Sequence, residues 1–234
     1  MKSFGIIVAR KGSTRLRGKN RLDLGGLPLY RWTVEAALES GVLDPVLVST
    51  DDPVILEQCA SLDGVIAHER PAELCTDRVT ALEVLAFMIP YVEERFGPRE
   101  GFCLLQPTSP FRGAGVIREA MARLTEPDVD FAVGVKAYDS PPFFAMSLED
   151  GLHPVNEGAL TRITRTQDVS MLHHPAGGLF AGRSSAFMDA RHFYGPRSRG
   201  VVMDFFASWD INTEEDFEVA RALAAYLRPG GLGR

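Results

Sequence analysis

Hydrophobic residues along this chain gather into short unbroken runs separated by longer amphipathic stretches. The runs are Ser3 to Ala9, Pro45 to Thr50, Val65 to Ala67, Phe102 to Gln106, Phe131 to Lys136 and Gly178 to Gly182. Each is too short for a helix and stops near Gly, Pro or charged residues, the pattern of strands buried on both faces. Helices are expected between them. The stretch from Pro28 places Leu29, Trp32, Ala36 and Leu38 near one face before Gly41 ends it, with Pro28 suited to the helix start. Further helices are predicted over Pro53–Leu62, Ala81–Phe96, Gly115–Leu124 and Thr213–Leu227. Strand and helix in regular succession predict an α/β, Rossmann-like fold with a mostly parallel sheet and helices on both faces. Residues 138–177 break the rhythm with Pro-Pro, Asp-Gly and Asn-Glu-Gly turn signals and weak periodicity, and are read as an inserted segment of hairpins and loops. With no repeat and no low-complexity linker, residues 1–234 read as one domain.

Composition narrows the ligand classes. The 234 residues are 45% hydrophobic and 24% charged, which excludes a disordered chain. Lys+Arg 25 against Asp+Glu 31 gives a net charge of −6, so no bulk positive field favours nucleic acid or an anionic membrane. Any polyphosphate must be held by a local cluster. Cys59, Cys75 and Cys103 are odd in number and widely spaced, matching neither a disulfide framework nor a zinc site, and read as buried thiols in a reducing cytoplasm. The apolar stretch before Arg10 is too short for a signal segment or a membrane span. These features point to a cytoplasmic enzyme or binding protein.

The richest candidate chemistry follows the first strand. Arg10, Lys11, Arg15, Arg17 and Lys19 are interleaved there with Gly12, Ser13, Thr14 and Gly18, ahead of Asn20. A flexible loop that offers backbone N–H groups and cations at the carboxyl end of a parallel strand suits a triphosphate. It is not a Walker loop, because five residues separate Gly12 from Gly18 and Asn20 stands where Ser or Thr would hold magnesium, and no GxGxxG occurs there. Elsewhere, Val48–Asp52 has Ser49, Asp51 and Asp52 as potential helix caps. Gln106 ends a strand at the edge where such sheets bind ligands. His173 and His174 read as loop histidines, and His68, His153 and His192 have no partner spacing. Pro141, Pro142, Phe143 and Phe144 form either the core side of a hairpin or an exposed patch.

The opening IIVARKGSTRLRGKN resembles the signature loop of the cytidylyltransferases that make CMP-activated sugar acids, among them the CMP-sialic acid, pseudaminic acid and Kdo synthetases. Val48–Asp52, Arg70–Leu74 with Asp77 after it, Leu104–Arg112 and Asp210–Ala220 match further blocks in family order. The resemblance implies a homodimeric, magnesium-dependent enzyme in which a sugar-acid oxygen attacks the α-phosphate of CTP and pyrophosphate leaves. It implies that Arg10, Gly12, Ser13, Lys19 and Asn20 hold the nucleotide, joined by Arg70 and Asp77. Lys19 and Arg10 would stabilise phosphate charge, Asp210 would act with the metal, and Gln106 would face the acid.

Two departures stand out. The second aspartate of the family's Asp-x-Asp metal pair is Asn212 here, whose carbonyl still offers an oxygen but no charge. The sialic acid enzymes' Arg-Pro-Asn-Gly block is replaced by His174-Pro175-Ala176-Gly177, so the acceptor residues implied are His174, Ala176 and Gly177. Ala176–Gly182 and Tyr194–Met203 resemble the pseudaminic acid branch. Two alternatives stand beside it: a different acid (legionaminic, sialic, Kdo or a phosphonate), and a non-catalytic nucleotide-binding relative, motivated by Asn212.

Overall fold

A computed structural model describes residues 1–13, 15–140, 142–156 and 171–227. In chain order the strands begin with β1 (Ser3–Val8), β2 (Asp23–Leu24), β3 (Leu27–Pro28), β4 (Val46–Thr50), β5 (Val65–Glu69) and β6 (Gly101–Leu105). They continue with β7 (Phe131–Ala137), β8 (Met146–Ser147), β9 (His153–Pro154), β10 (His173–Arg183) and β11 (Ser198–Val202). The described helices are α1 (Leu29–Ser40), α2 (Pro53–Ala60), α3 (Ala81–Phe96), α4 (Ala114–Arg123), α5 (Ser184–Ala190) and α6 (Glu214–Leu227).

Seven strands form one sheet in the order β11-β7-β10-β6-β1-β4-β5. β10 runs antiparallel to both β6 and β7, while β1, β4, β5 and β6 pair in parallel, as do β7 and β11. The reversal of β10 follows from its entry. The chain leaves β7 at the carboxyl edge of the sheet, folds back through the β8/β9 hairpin region and re-enters at that same edge, so no crossover turns it around. Alternating residues of the central strands supply both cores. Ile7, Val48, Cys103 and Leu105 pack beneath α1, α2 and α4, and Phe4, Ile6, Phe102 and Leu104 pack beneath α3 and α5. This is the two-faced sheet expected.

A third cluster joins Leu24, Leu29 and Trp32 to Ile211, Phe217 and Ala224, and so seats α6 beside the loop that follows β1. Helix ends carry their signals: Gly41 closes α1 at φ +66°, Asp52 caps α2 ahead of Pro53, and Thr80 with Glu83 forms a reciprocal capping box on α3. Thr80→Ala is expected to cost about 1 kcal/mol, seen as a lower urea midpoint at unchanged slope.

Several expectations are corrected. α5 and β11 carry no clear sequence signal, because Ser184–Ala190 and Ser198–Val202 are short and β11 is an edge strand. His173–Gly177, expected in the insertion, already belong to β10. Residues 157–170 of that segment, together with Thr14 and Pro141, lie outside the described residues. Cys59 and Cys103 are buried as expected, whereas Cys75 is half-exposed.

Candidate functional site

The chain leaves β1 through α1 toward β4 on one side of the sheet, and leaves β6 through α4 toward β7 on the other. The loops after β1 and β6 therefore diverge, opening the crevice in which such sheets hold ligands. A cavity of about 260 Å³ lies there, lined by Arg10, Gly12, Ser13, Arg15, Lys19 and Asn20 from the first loop and by Gln106, Pro107 and Thr108 from the second. Five sequence-predicted nucleotide residues thus share one cavity with Gln106.

The loop's shape is fixed by polar contacts made beneath it. Asn20, 9% exposed, donates from Nδ2 to the Arg10 carbonyl at 2.8 Å. The Lys11 N–H donates to Asp51 Oδ1 at 2.6 Å, and Thr50 Oγ1 donates to the Ala9 carbonyl at 2.5 Å. Asp52 accepts from the Val54 N–H and pairs with Arg21 at 3.0 Å. The aspartates of the Val48–Asp52 block therefore brace the loop rather than line the cavity. Asp77 pairs with Arg10 at 2.7 Å and orients its guanidinium.

Lys19 joins three distant segments. Its Nζ donates to the Ile211 carbonyl at 2.8 Å, and the Ile211 N–H donates to the Thr108 carbonyl at 2.8 Å. Burial holds the Lys19 pKa below the ordinary lysine value; Arg15 pushes the same way, opposed by Asp210 and Asp216. Asp216 accepts from the N–H groups of Asn212 and Thr213 and so locks the turn ahead of α6.

The expected metal pair fits only in part. Asp210 Oδ1 is buried without a hydrogen-bond partner, as suits an oxygen awaiting a hard cation. Asn212 does not suit that role: its Oδ1 accepts from Arg15 Nη2 at 3.0 Å and its Nδ2 donates to Asp210 Oδ2 at 2.6 Å. Both ends of the amide are engaged within the protein. Among the described residues, no group of three or more His, Cys, Asp or Glu is placed to hold a metal.

Arg70 stands one strand further along. It is 6% exposed, with Nε donating to Ser49 Oγ at 3.2 Å and Nη2 to the Ser49 carbonyl at 2.6 Å. The Ser49 hydroxyl also shares a hydrogen bond with His68 Nδ1, 3.1 Å away. Burial, with Arg70 and Arg95 adding to it, pushes His68 down to about 4. His68, given no role from spacing, thus closes the chain that holds Arg70. Arg70 lines a separate cavity of about 480 Å³ with Asp51, Glu69 and Cys75.

On the acceptor side the structure separates the expected residues. Gly177, at φ +77°, lies in an irregularity of β10 where the register with β7 shifts, and a Cβ built there would be 4.0 Å from Asp210 Oδ2. Ala176 is buried against Met203 and Ala207, so its methyl group serves packing and not substrate contact. His174 packs its ring on Tyr138 at 4.5 Å and donates from Nδ1 to the Pro175 carbonyl, outside the cavity lining. The Tyr194–Met203 block supplies edge strand β11, and only its end, Met203, reaches a second cavity of about 300 Å³ shared with Lys136, Asp139, Phe205, Ser208 and Trp209.

Sequence reasoning assigned no role to Lys136, to the pairing of Arg15 or to Arg112. Arg112 is fully buried, donating to the Gly178 and Gln106 carbonyls and to Thr33 Oγ1, and burial lowers it to about 10. A charged residue in a strand-following loop carries no sequence signal that it will turn inward.

The sequence model of the family described as Cytidylyltransferase matches residues 4–221. The chain is 32% identical over 219 residues to an N-acylneuraminate cytidylyltransferase of Streptococcus agalactiae serotype V, covering 93% of this chain and 52% of that one. It thus spans about half the length of that relative. It is 27% identical over 223 residues to a pseudaminic acid cytidylyltransferase of Campylobacter jejuni, covering 95% and 96% of the two chains. A solved structure of CMP:2-keto-3-deoxy-manno-octonic acid synthetase complexed with CTP shares the fold at TM-score 0.71 and 19% identity, over 97% of this chain and all of the other.

Proposed function

The chain belongs to the cytidylyltransferase family, and on that premise we propose that it transfers the cytidylyl group of CTP to a nonulosonic sugar acid, pseudaminic acid in particular, with release of pyrophosphate. The observation that carries this reading is the convergence of Arg10, Arg15 and Lys19 with Gln106 in one cavity at the switch of the sheet. A triphosphate laid there meets three cations and the N–H groups of a glycine-bearing loop. Lys19 and Arg10 neutralise charge as it grows on the phosphates, and the braced loop presents them without reorganisation. Gln106 contacts the acid from the opposite wall. A magnesium ion would be held by Asp210 Oδ1 together with phosphate oxygens, and supplies charge neutralisation when bound. No covalent nucleophile is needed.

The pseudaminic assignment is supported by the Ala176–Gly182 and Tyr194–Met203 blocks and by the relative of that name, which matches along nearly its whole length. The proposed working form is a homodimer. Met146, Leu148, Leu152 and Val155 are exposed on the segment after β7, and a second copy of the chain would cover them. No described helix is long and apolar enough to cross a membrane, and the proposed compartment is the cytoplasm.

Pyrophosphate release from CTP and magnesium, run in parallel with pseudaminic, legionaminic and sialic acids and Kdo, tests the reading, with ATP, GTP and UTP as controls. Release is expected with CTP and pseudaminic acid. Release with another acid alone would reassign the acceptor, and none with any acid, while CTP still raised Tm, would overturn the sugar-acid reading and leave an acceptor outside these four or the non-catalytic alternative.

A further inference from the structure

Asn212 sits between a cation and an anion, and its amide can face only one way. Oδ1 is an acceptor and must meet Arg15 Nη2, while Nδ2 is a donor and must meet Asp210 Oδ2. The main chain of the same residue is held by Asp216, so the side chain is aimed by a fixed turn. A metal ion shared by residues 210 and 212 would need lone pairs from both. Here the amide hydrogens point at one oxygen of Asp210, and the amide oxygen points at a guanidinium. Of the side-chain oxygens of this pair, only Asp210 Oδ1 is left without a hydrogen-bond partner. Magnesium prefers six oxygen ligands and gives up its water reluctantly, so a single carboxylate oxygen does not retain it without phosphate partners.

Arg15 meanwhile lines the phosphate cavity, so the group that Asn212 fastens is itself a permanent positive charge beside the proposed triphosphate. We propose that in this protein Arg15, anchored to Asp210 through Asn212, occupies the place of a protein-bound cation. Among the described residues the free enzyme then has no divalent-ion site of its own, and metal enters the crevice only with the nucleotide. Asn212 is on this view a positioning residue for Arg15, not a ligand. The inference rests on the nucleotide reading above but concerns a property that can be measured without any acceptor.

The test is a titration of Mn²⁺ into the nucleotide-free protein, followed by the loss of the free-ion EPR signal, for wild type and for Asn212→Asp. Wild type is expected to leave Mn²⁺ free up to millimolar concentrations. Asn212→Asp, which restores a second carboxylate, is expected to bind it tenfold or more tightly, in the range by which single groups around a metal change affinity. In EDTA, Arg15→Gln should weaken CTP binding about tenfold, the worth of one charge-assisted hydrogen bond. Stoichiometric Mn²⁺ binding by nucleotide-free wild type would overturn the proposal, and would do so even if Asn212→Asp failed to fold. Unchanged CTP affinity in Arg15→Gln would overturn the role given to Arg15. Complete absence of CTP binding by wild type would instead refute the nucleotide reading, while leaving the Mn²⁺ comparison intact.

Discussion

Replacing Lys19 by alanine is expected to lower kcat/KM for pyrophosphate release roughly 100- to 1,000-fold, the usual cost of removing one preorganised group from a site of developing charge. Lys19 is half-buried, fixed to the Ile211 carbonyl at 2.8 Å, and sits on the wall shared with Arg10 and Arg15. Its position is set before substrate arrives, so its charge acts without reorganisation. The pH profile carries a second signature. Burial, reinforced by Arg15, lowers the Lys19 pKa, so the charged form is complete at low pH and is lost as pH rises through a value below the ordinary lysine range. The wild-type rate should therefore fall on the alkaline side earlier than a solvent-exposed lysine would dictate. Lys19→Arg keeps its charge to higher pH, and should retain partial activity with that alkaline limb displaced upward. An alkaline limb identical in both proteins would show that Lys19 does not supply the titrating charge.

Gly178→Ala is expected to destabilise the fold by about 3 kcal/mol, a large value for added volume in a packed interior. The added Cβ would lie 2.6 Å from both Cβ and Oγ of Ser109 and 3.2 Å from Arg112 Nη1. Ser109 and Arg112 are both fully buried, so neither can retreat into solvent. The Gly178 carbonyl also accepts from the Gln106 N–H at 3.1 Å and from Arg112, so the strand cannot move without disturbing the residue proposed to face the acid. For a protein of this size the loss corresponds to a Tm lower by roughly 6–12 °C. A calorimetric Tm within two degrees of wild type would contradict the packing argument. A folded variant should also show weaker acceptor binding with CTP affinity unchanged, because only the Gln106 wall is displaced.

Lys19 and Gly178 owe their roles to different layers of information. Lys19 was legible in the sequence because five cations crowd one glycine-bearing loop after an apolar run, and local composition alone marks such a loop as anion-binding. Gly178 was legible only as one residue in a strand. Its necessity comes from Ser109 and Arg112, which arrive from another loop. The edge strand β11 escaped notice because Ser198–Val202 mixes Ser, Arg and Gly with only two valines, and its pairing with β7 supplies the order that its own pattern lacks.

What the sequence by itself determined is whatever depends on neighbours along the chain. The strands buried on both faces, the helix spacing from Leu29 to Leu227, the capping at Asp52 and Thr80 and the cationic loop all follow from periodicity and short-range chemistry. The tertiary structure decided which of those groups meet. Asn212 could be read as a weakened metal ligand until the fold placed Arg15, 197 residues away, on its amide oxygen. Ala176 could be read as an acceptor residue until β10 turned its methyl group onto Met203, and His68 looked idle until Ser49 linked it to Arg70. Hydrogen bonds and close packing act over a few ångströms of space irrespective of separation in the chain, so the role of a polar side chain is fixed by its spatial partners.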